Sequence, residues 1–528
     1  MLRRSIRARR PLRRWLALGA LLLALPALAH GVPAAAQDRA ADTPGAASAE
    51  VIAPGPARFE PLRPLPPVET DDRRFGLVEA YRIADEGLGR ALGARHERID
   101  FWWSGLQDAP DAPLSPYYFA PSLLQRERDQ GFQVLGLLMS TPAWAAANPD
   151  DGPRSVPRNL GLPWDDPQNY WGRFVEQIAR DYAGQIDTWI VWNEPDIQPG
   201  DPNAAYYAWA GSVEDYYQLL KVAYRSIKKG NPRARVHLAG LTYWADREAN
   251  RPQFFARLLD LMDADPTAPA NDFYFDVATL HLYTDPRGLY DVPNLYRDLM
   301  RAHGFEKPIW INETNVIPWD DPTNRGTGYD VAADKRCTLA DQASYLLEAF
   351  SLGLAGGAER ISVYKAEDGA GAAYNGDVDA AERAALVRED GSLRPAYLAY
   401  QTAVRYFRDA RAAQYFRGST AEAVVVDRSD GQRVTALWDA APRPVVARLA
   451  ASGARAELVD AAGQVRPLPP PQDGGYAIAL PPASCNTDLA DPARYLMGGE
   501  TYLLVEYDVP ADRAPQAPRA DPGLTAPR

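Results

Sequence analysis

The amino-acid sequence predicts an α/β protein, a (β/α)8 TIM barrel followed by a small C-terminal β-sandwich. Three observations carry that expectation. Eight short apolar runs alternate with amphipathic helical stretches, and eight parallel strands are what a closed barrel needs. Beyond about residue 410 the pattern changes to short alternating runs separated by Gly- and Pro-containing turns. The chain has 528 residues, 46% of them hydrophobic, enough for one large domain and a smaller one.

In chain order, residues 1–36 read as an export signal. Seven Arg lie between Arg3 and Arg14, an apolar run covers Trp15 to Ala29, and Ala34-Ala35-Ala36 precede Gln37. The paired Arg13-Arg14 is compatible with a twin-arginine signal. The run is shorter than the roughly 20 residues that span a bilayer, so no stable membrane span is expected once it is cleaved. The expected location is secreted, periplasmic or cell-envelope. Residues 37–71, rich in Ala and Pro, read as a disordered linker, and residues 510–528 as a similar tail.

The barrel is expected over 72–410. Its runs are Phe75–Tyr81, Arg95–Phe101, Val134–Ser140, Thr188–Asn193, Val236–Leu241, Val277–Tyr283, Ile309–Glu313 and Ile361–Lys365. Between them Val213–Lys229 is a clear helix, capped by Ser212 and stopped at Gly230-Asn231-Pro232. The sandwich is expected over 411–509, with strands at Ala423–Asp427, Val434–Trp438, Val445–Leu449, Ala456–Val459, Tyr476–Leu480 and Tyr502–Tyr507. Its strands carry few exposed-looking aromatics, so it reads as a brace for the barrel before a carbohydrate-binding module.

Net charge is −12 and the pI about 5.1, with no basic run outside the N-terminus, which argues against a nucleic-acid partner. The five His are scattered without metal-binding spacing, so neither metal nor cofactor is expected. Cys337 and Cys485 would be free to pair in an oxidising compartment; two separate buried thiols are the equal alternative. The oligomeric state is not legible.

In such a barrel the strand C-termini share one mouth, so functional candidates are the residues that close each run. These are Asn193 and Glu194 on the fourth, His281 and Tyr283 on the sixth, Glu313 on the seventh, and Tyr364 and Lys365 on the eighth, with Arg98 inside the second. Two carboxyls can divide the work of glycoside cleavage, one protonated for the leaving oxygen and one ionised for the anomeric carbon. Tyr and Arg beside Glu313 would keep it ionised, and Trp192 and Pro195 would help raise the pKa of Glu194. Trp102, Trp103, Trp144, Trp244 and Trp319, at strand exits, are candidate platforms for a sugar's C–H face, with core packing the alternative for each. Loops Ser140–Asp165 and Thr314–Arg336 would wall the cleft.

The Trp192-Asn193-Glu194-Pro195 tetrapeptide, the His281-Leu282-Tyr283 triplet and the strand-end Glu313 together resemble clan A glycoside hydrolases, family 39 and its relatives most of all, over about residues 72 to 508. The resemblance implies an exported retaining enzyme acting on oligo- or polysaccharides. Glu194 would be the general acid/base and Glu313 the nucleophile. Asn193 would meet the sugar 2-hydroxyl, Tyr283 would hold the nucleophile, His281 would line the adjacent subsite, and Arg98 would stand near the nucleophile. Many members place a Trp at the end of strand eight, where this chain has Ser362-Val363-Tyr364-Lys365. Lys365, followed by Glu367 and Asp368, could recognise an acidic or heavily hydroxylated sugar, or be a solvated loop charge. A non-catalytic carbohydrate-binding envelope protein and a transglycosylase are the alternative readings.

Overall fold

The computed structural model describes residues 58–66, 72–83, 85–115, 119–202, 206–324, 336–369, 383–471, 474–485, 495–515 and 518–521. The predicted signal and most of the predicted linker lie outside these residues. Barrel and sandwich belong to one compact unit, Val51–Arg528.

The eight apolar runs are the eight strands of a closed parallel barrel: Phe75–Val78, His96–Trp102, Gln133–Met139, Thr188–Val191, Arg235–Leu241, Val277–His281, Ile309–Glu313 and Arg360–Val363. The first pairs with the eighth, Phe75 opposite Ile361, which closes the ring. Strands covered on both faces read as continuous apolar runs, and the fourth and seventh are buried at every residue. The predicted helix spans Val213–Gly230, and Ser212 and Asp215 form a full capping box at its start.

The second domain is a sandwich of two antiparallel sheets. All six predicted strands are present, and Phe416, Leu437, Leu449 and Ile478 share a core between the sheets. Two expectations need correction. Arg58–Phe59 and Arg63–Pro64, assigned to the linker, pair with an unpredicted strand, Ala410–Arg417. Arg519–Asp521, assigned to the tail, pairs with Val445–Ala450. The sandwich is therefore built from both ends of the chain.

Helix Leu339–Ala355 runs between the domains and is buried almost all round, against barrel on one side and sandwich on the other. Its Glu348 is held up to about 8 by burial, and accepts a hydrogen bond from Thr501 Oγ1 of the sandwich at 2.9 Å. Cys337 and Cys485 are bonded, with Cα atoms 4.6 Å apart across 148 residues of sequence. The bond joins the region between barrel strands seven and eight to the sandwich. Among the described residues, no helix is long and apolar enough to cross a membrane.

Candidate active site

The fourth strand ends in a distorted turn. Trp192 (φ 74°) and Glu194 (φ 43°) both occupy the left-handed region, which non-glycine residues adopt at a cost and which clusters at functional sites. Backbone bonds impose it: Trp192 N donates to Leu138 O at 2.8 Å and Glu194 N to Gly240 O at 3.1 Å. Trp192 turns into the core, its ring edge-on to Trp209 and Trp171 and its Nε1 donating to Ala208 O at 2.9 Å. The expected apolar wall for the Glu194 carboxyl is therefore not this ring. His281 and Tyr206 stand there instead: His281 Nδ1 lies 2.8 Å from Glu194 Oε1, and the Tyr206 hydroxyl donates to Oε2.

Glu313 closes strand seven, buried like Glu194. Arg98 Nη1 donates to its Oε1 and the Tyr283 hydroxyl to its Oε2. Burial alone would raise this carboxyl's pKa; the charges of His281 and Arg98, with the two hydrogen bonds, outweigh it and hold Glu313 below the ordinary carboxylate value. Arg98 is itself fixed from behind, its Nε 3.1 Å from Asp100 Oδ1. The resemblance puts Arg98 near the nucleophile, and its contact with Glu313 is present.

His281 does more than line a neighbouring subsite, because its Nδ1 sits between the carboxyls, 3.5 Å from Glu313 Oε2. The opposite ring edge lies over Gly240, where a Cβ would collide with the imidazole. One atom each from Glu194, His281 and Glu313 lie within 4.8 Å of one another, a donor set that could hold a cation. Arg98 already supplies positive charge to that set and, with the two tyrosines, occupies its carboxylate oxygens. The arrangement suits two carboxyls acting on one atom better than a resident metal.

Asn193 is half-buried at the same strand end, and its side chain makes no hydrogen bond to any described residue. Tyr364 stands edge-on to Tyr283 with ring centroids 6.5 Å apart, and its carbonyl accepts from Asn315 Nδ2 at 2.7 Å. Lys365 is not a solvated loop charge: it is 7% exposed, with Nζ 3.7 Å from Glu79 Oε2. Asp368 is buried too, bound by Arg394 at 2.6 Å.

The tryptophans divide. Trp103 is fully buried and stacked on Phe174, so it is core and not a platform. Trp144 is half-buried, held by its Nε1 to Gln107 O at 2.8 Å and edge-on to Trp103. It borders a separate cavity of about 270 Å³ with Tyr170 and Arg173, away from the carboxyl pair. Trp102, Trp244 and Trp319 are half-buried at strand exits two, five and seven, and Trp319 lies 5.6 Å from the Arg336 guanidinium.

Sequence reasoning missed Glu79, Asp100, Asp196 and Tyr206. Asp196 ties the turn after Glu194 to strand five, its Oδ2 accepting from Thr242 N at 2.7 Å and Tyr243 N at 3.2 Å; burial pushes it up to about 7. Glu79 and Asp100 lay one step from the strand ends considered. Tyr206 lies in an irregular segment, and no periodicity could have singled it out.

No protein-family model matches the chain. A stretch of 79 residues is 33% identical to a β-xylosidase of Caldicellulosiruptor saccharolyticus, covering 13% of this chain and 15% of that protein's length. Among solved structures, a family 39 glycoside hydrolase from Bacteroides cellulosilyticus WH2 superposes with a TM-score of 0.59 at 15% identity, over 84% of this chain and 83% of that one. A glucosidase from Croceicoccus marinus gives 0.54 at 12% identity, over 84% and 98%. The chain thus has the barrel fold of clan A glycoside hydrolases, with family 39 among its structural neighbours.

Proposed function

We propose that the protein is a retaining glycoside hydrolase that cleaves O-glycosidic bonds in oligo- or polysaccharides. One observation carries this reading: an oxygen of Glu194 lies within 4.8 Å of an oxygen of Glu313. Retaining enzymes hold their carboxyls about 5–5.5 Å apart, whereas inverting ones leave about 6.5–9.5 Å for a water.

In the first step a Glu313 oxygen bonds to the anomeric carbon while the glycosidic C–O bond breaks. Glu194 passes its proton to the departing oxygen. In the second step Glu194 takes a proton from water, the water oxygen bonds to the anomeric carbon, and the Glu313 ester bond breaks. Arg98 and Tyr283 keep Glu313 anionic for attack. His281, in contact with both carboxyls, fixes their relative position, and Asn193 is placed for a sugar hydroxyl. The Arg-rich leader supports export, which N-terminal sequencing of the mature protein from the extracytoplasmic fraction would test.

The catalytic reading is tested by intact mass after exposure to fluorinated or cyclophellitol-type glycosidase probes. A one-sugar gain on Glu313, lost in Glu313→Ala, is the expected result. No labelling across a broad panel, with carbohydrate binding intact, would favour a non-catalytic binding protein.

A further inference from the structure

Near the barrel mouth a largely buried lysine keeps an ammonium that no protein group among the described residues hydrogen-bonds. Lys365 and Glu79 are each 7% exposed, yet Nζ stands 3.7 Å from Glu79 Oε2, too far for a direct hydrogen bond. Among the described residues no group hydrogen-bonds the Lys365 ammonium, although Leu386 N donates to the backbone carbonyl; the other neighbour of Nζ is the Tyr364 ring, 5.5 Å away. Its N–H donors, without a protein acceptor, are open to a ligand or water. Glu79 is held rigidly, with Arg82 Nε 2.7 Å from Oε2 and Nη2 donating to Oε1 at 2.9 Å. Its own backbone is left-handed (φ 57°).

The position of this pair in the barrel gives it a job. Strand four, which carries Glu194, lies across the ring from strand eight, and strand one adjoins strand eight. The glycosidic oxygen must meet Glu194, so the far side of the pyranose, its C4 edge, faces strands eight and one. A contact chain joins the pair to the reacting centre: Lys365 to Tyr364, Tyr364 to Tyr283, Tyr283 to Glu313. A hydroxyl oxygen bridging the pair from one side, at hydrogen-bond distance from both atoms, would accept from Lys365 and donate to Glu79.

Charge decides between a neutral and an acidic sugar. Among the described residues the charges near this pair balance only as a set: Arg98, Arg82 and Lys365 stand against Glu313, Asp100 and Glu79. A sugar carboxylate would find no surplus positive charge in this set and would meet Glu79 and Asp100.

We infer that Lys365 and Glu79 are specificity-determining residues that read a C4-side hydroxyl, and that the sugar bound between the two glutamates is a neutral polyhydroxylated pyranose, not a uronic acid. This rests on the glycosidase reading above. The test is titration calorimetry of wild type, Glu79→Gln and Lys365→Met with polyhydroxylated piperidines in gluco, galacto and xylo configuration, their 4-deoxy analogues, and carboxylate-bearing counterparts. A neutral compound should bind wild type and lose roughly 10- to 100-fold in affinity without its 4-hydroxyl. In both variants that penalty should shrink to about twofold, the mark of a lost direct contact and not of a loosened fold.

Tighter binding of a carboxylate-bearing compound, or an unchanged 4-deoxy penalty in the variants, would overturn the inference. Covalent labelling of Glu313 by the glycosidase probes separates the two readings. Labelling with an unchanged penalty overturns only the specificity role, whereas no labelling and no piperidine binding overturns both. Should Lys365→Met not fold, Glu79→Gln and the wild-type series still decide.

Discussion

The two ends of the barrel interior are both polar, and they are organised on opposite plans. At the mouth, Arg98, Glu313, Glu194 and His281 contact one another directly, and the groups face a site. At the floor, where the strands begin, His96 Nε2 meets Ser362 Oγ at 2.8 Å, and His237 has neither ring nitrogen bonded to any described residue. Trp310 lies between these layers, with the Arg360 guanidinium 4.1 Å from its ring centroid and His237 edge-on at 4.5 Å. Burial, reinforced by the charges of Arg360 and Arg235, keeps both histidines well below their ordinary pKa and so neutral at pH 7. The same strands supply both layers: His96 and Arg98 are two residues apart on strand two. The mouth gathers carboxylates and a guanidinium in mutual contact, whereas the floor is filled by neutral imidazoles and an indole with the half-buried Arg235 and Arg360 beside them.

That contrast can be broken most forcefully at the mouth. Glu313→Ala is expected to lower kcat/KM by roughly 10⁴-fold or more on an aryl glycoside, since no other group can form the covalent intermediate. Glu194→Gln should cost roughly 10²–10⁴-fold, and much less for substrates whose leaving phenolate needs no proton, a dependence that steady-state kinetics with graded leaving groups would read. Next comes Arg98→Met. The native cation helps hold Glu313 below its ordinary value, so removing it lets that carboxyl rise, and the acidic limb of the kcat/KM profile should move to higher pH.

The floor should respond in stability and not in turnover. Depressed histidine pKa values mean the unfolded chain binds more protons below about pH 6.5, so this contribution is complete above 6.5 and is lost as pH falls below it. Urea midpoints between pH 7 and 5 should fall less steeply in His237→Leu than in wild type, with kcat/KM unchanged at pH 7. Ser362→Ala should have the smallest effect, costing about 1 kcal/mol of stability by removing the His96 partner. A large fall in turnover from either floor change would dissolve the distinction between the two ends.

Most of the barrel could be read from the sequence because strands buried on both faces leave unbroken apolar runs, and strand ends in a barrel converge whatever the loops do. Glu194, Glu313, His281 and Tyr283 were singled out that way, whereas Arg98, inside the second run, drew its role from the family resemblance. Trp103 misled because a strand-exit position says nothing of which way the ring turns, and here it turns under helix Tyr170–Asp181 onto Phe174. Lys365 was singled out with a solvated loop charge as the alternative, while its partner Glu79 escaped because it lies inside the first predicted run and not at its end. Ala410–Arg417 was missed for its Ala- and Arg-rich composition, which carries little β-propensity, and Arg58–Phe59 and Arg63–Pro64 because a Pro-rich stretch argues against a strand except at a sheet edge.

The pairing of Arg58 with Arg417 sets an order of events during biogenesis. A chain made or translocated from its N-terminus presents Arg58–Phe59 early and Ala410–Arg417 only after every barrel strand has emerged. The first segment must wait, unpaired, through the assembly of the whole barrel. The outer edge of the sandwich is therefore completed only once the barrel strands between its two halves have been made, and the Cys337–Cys485 bond then ties the domain to the barrel a second time.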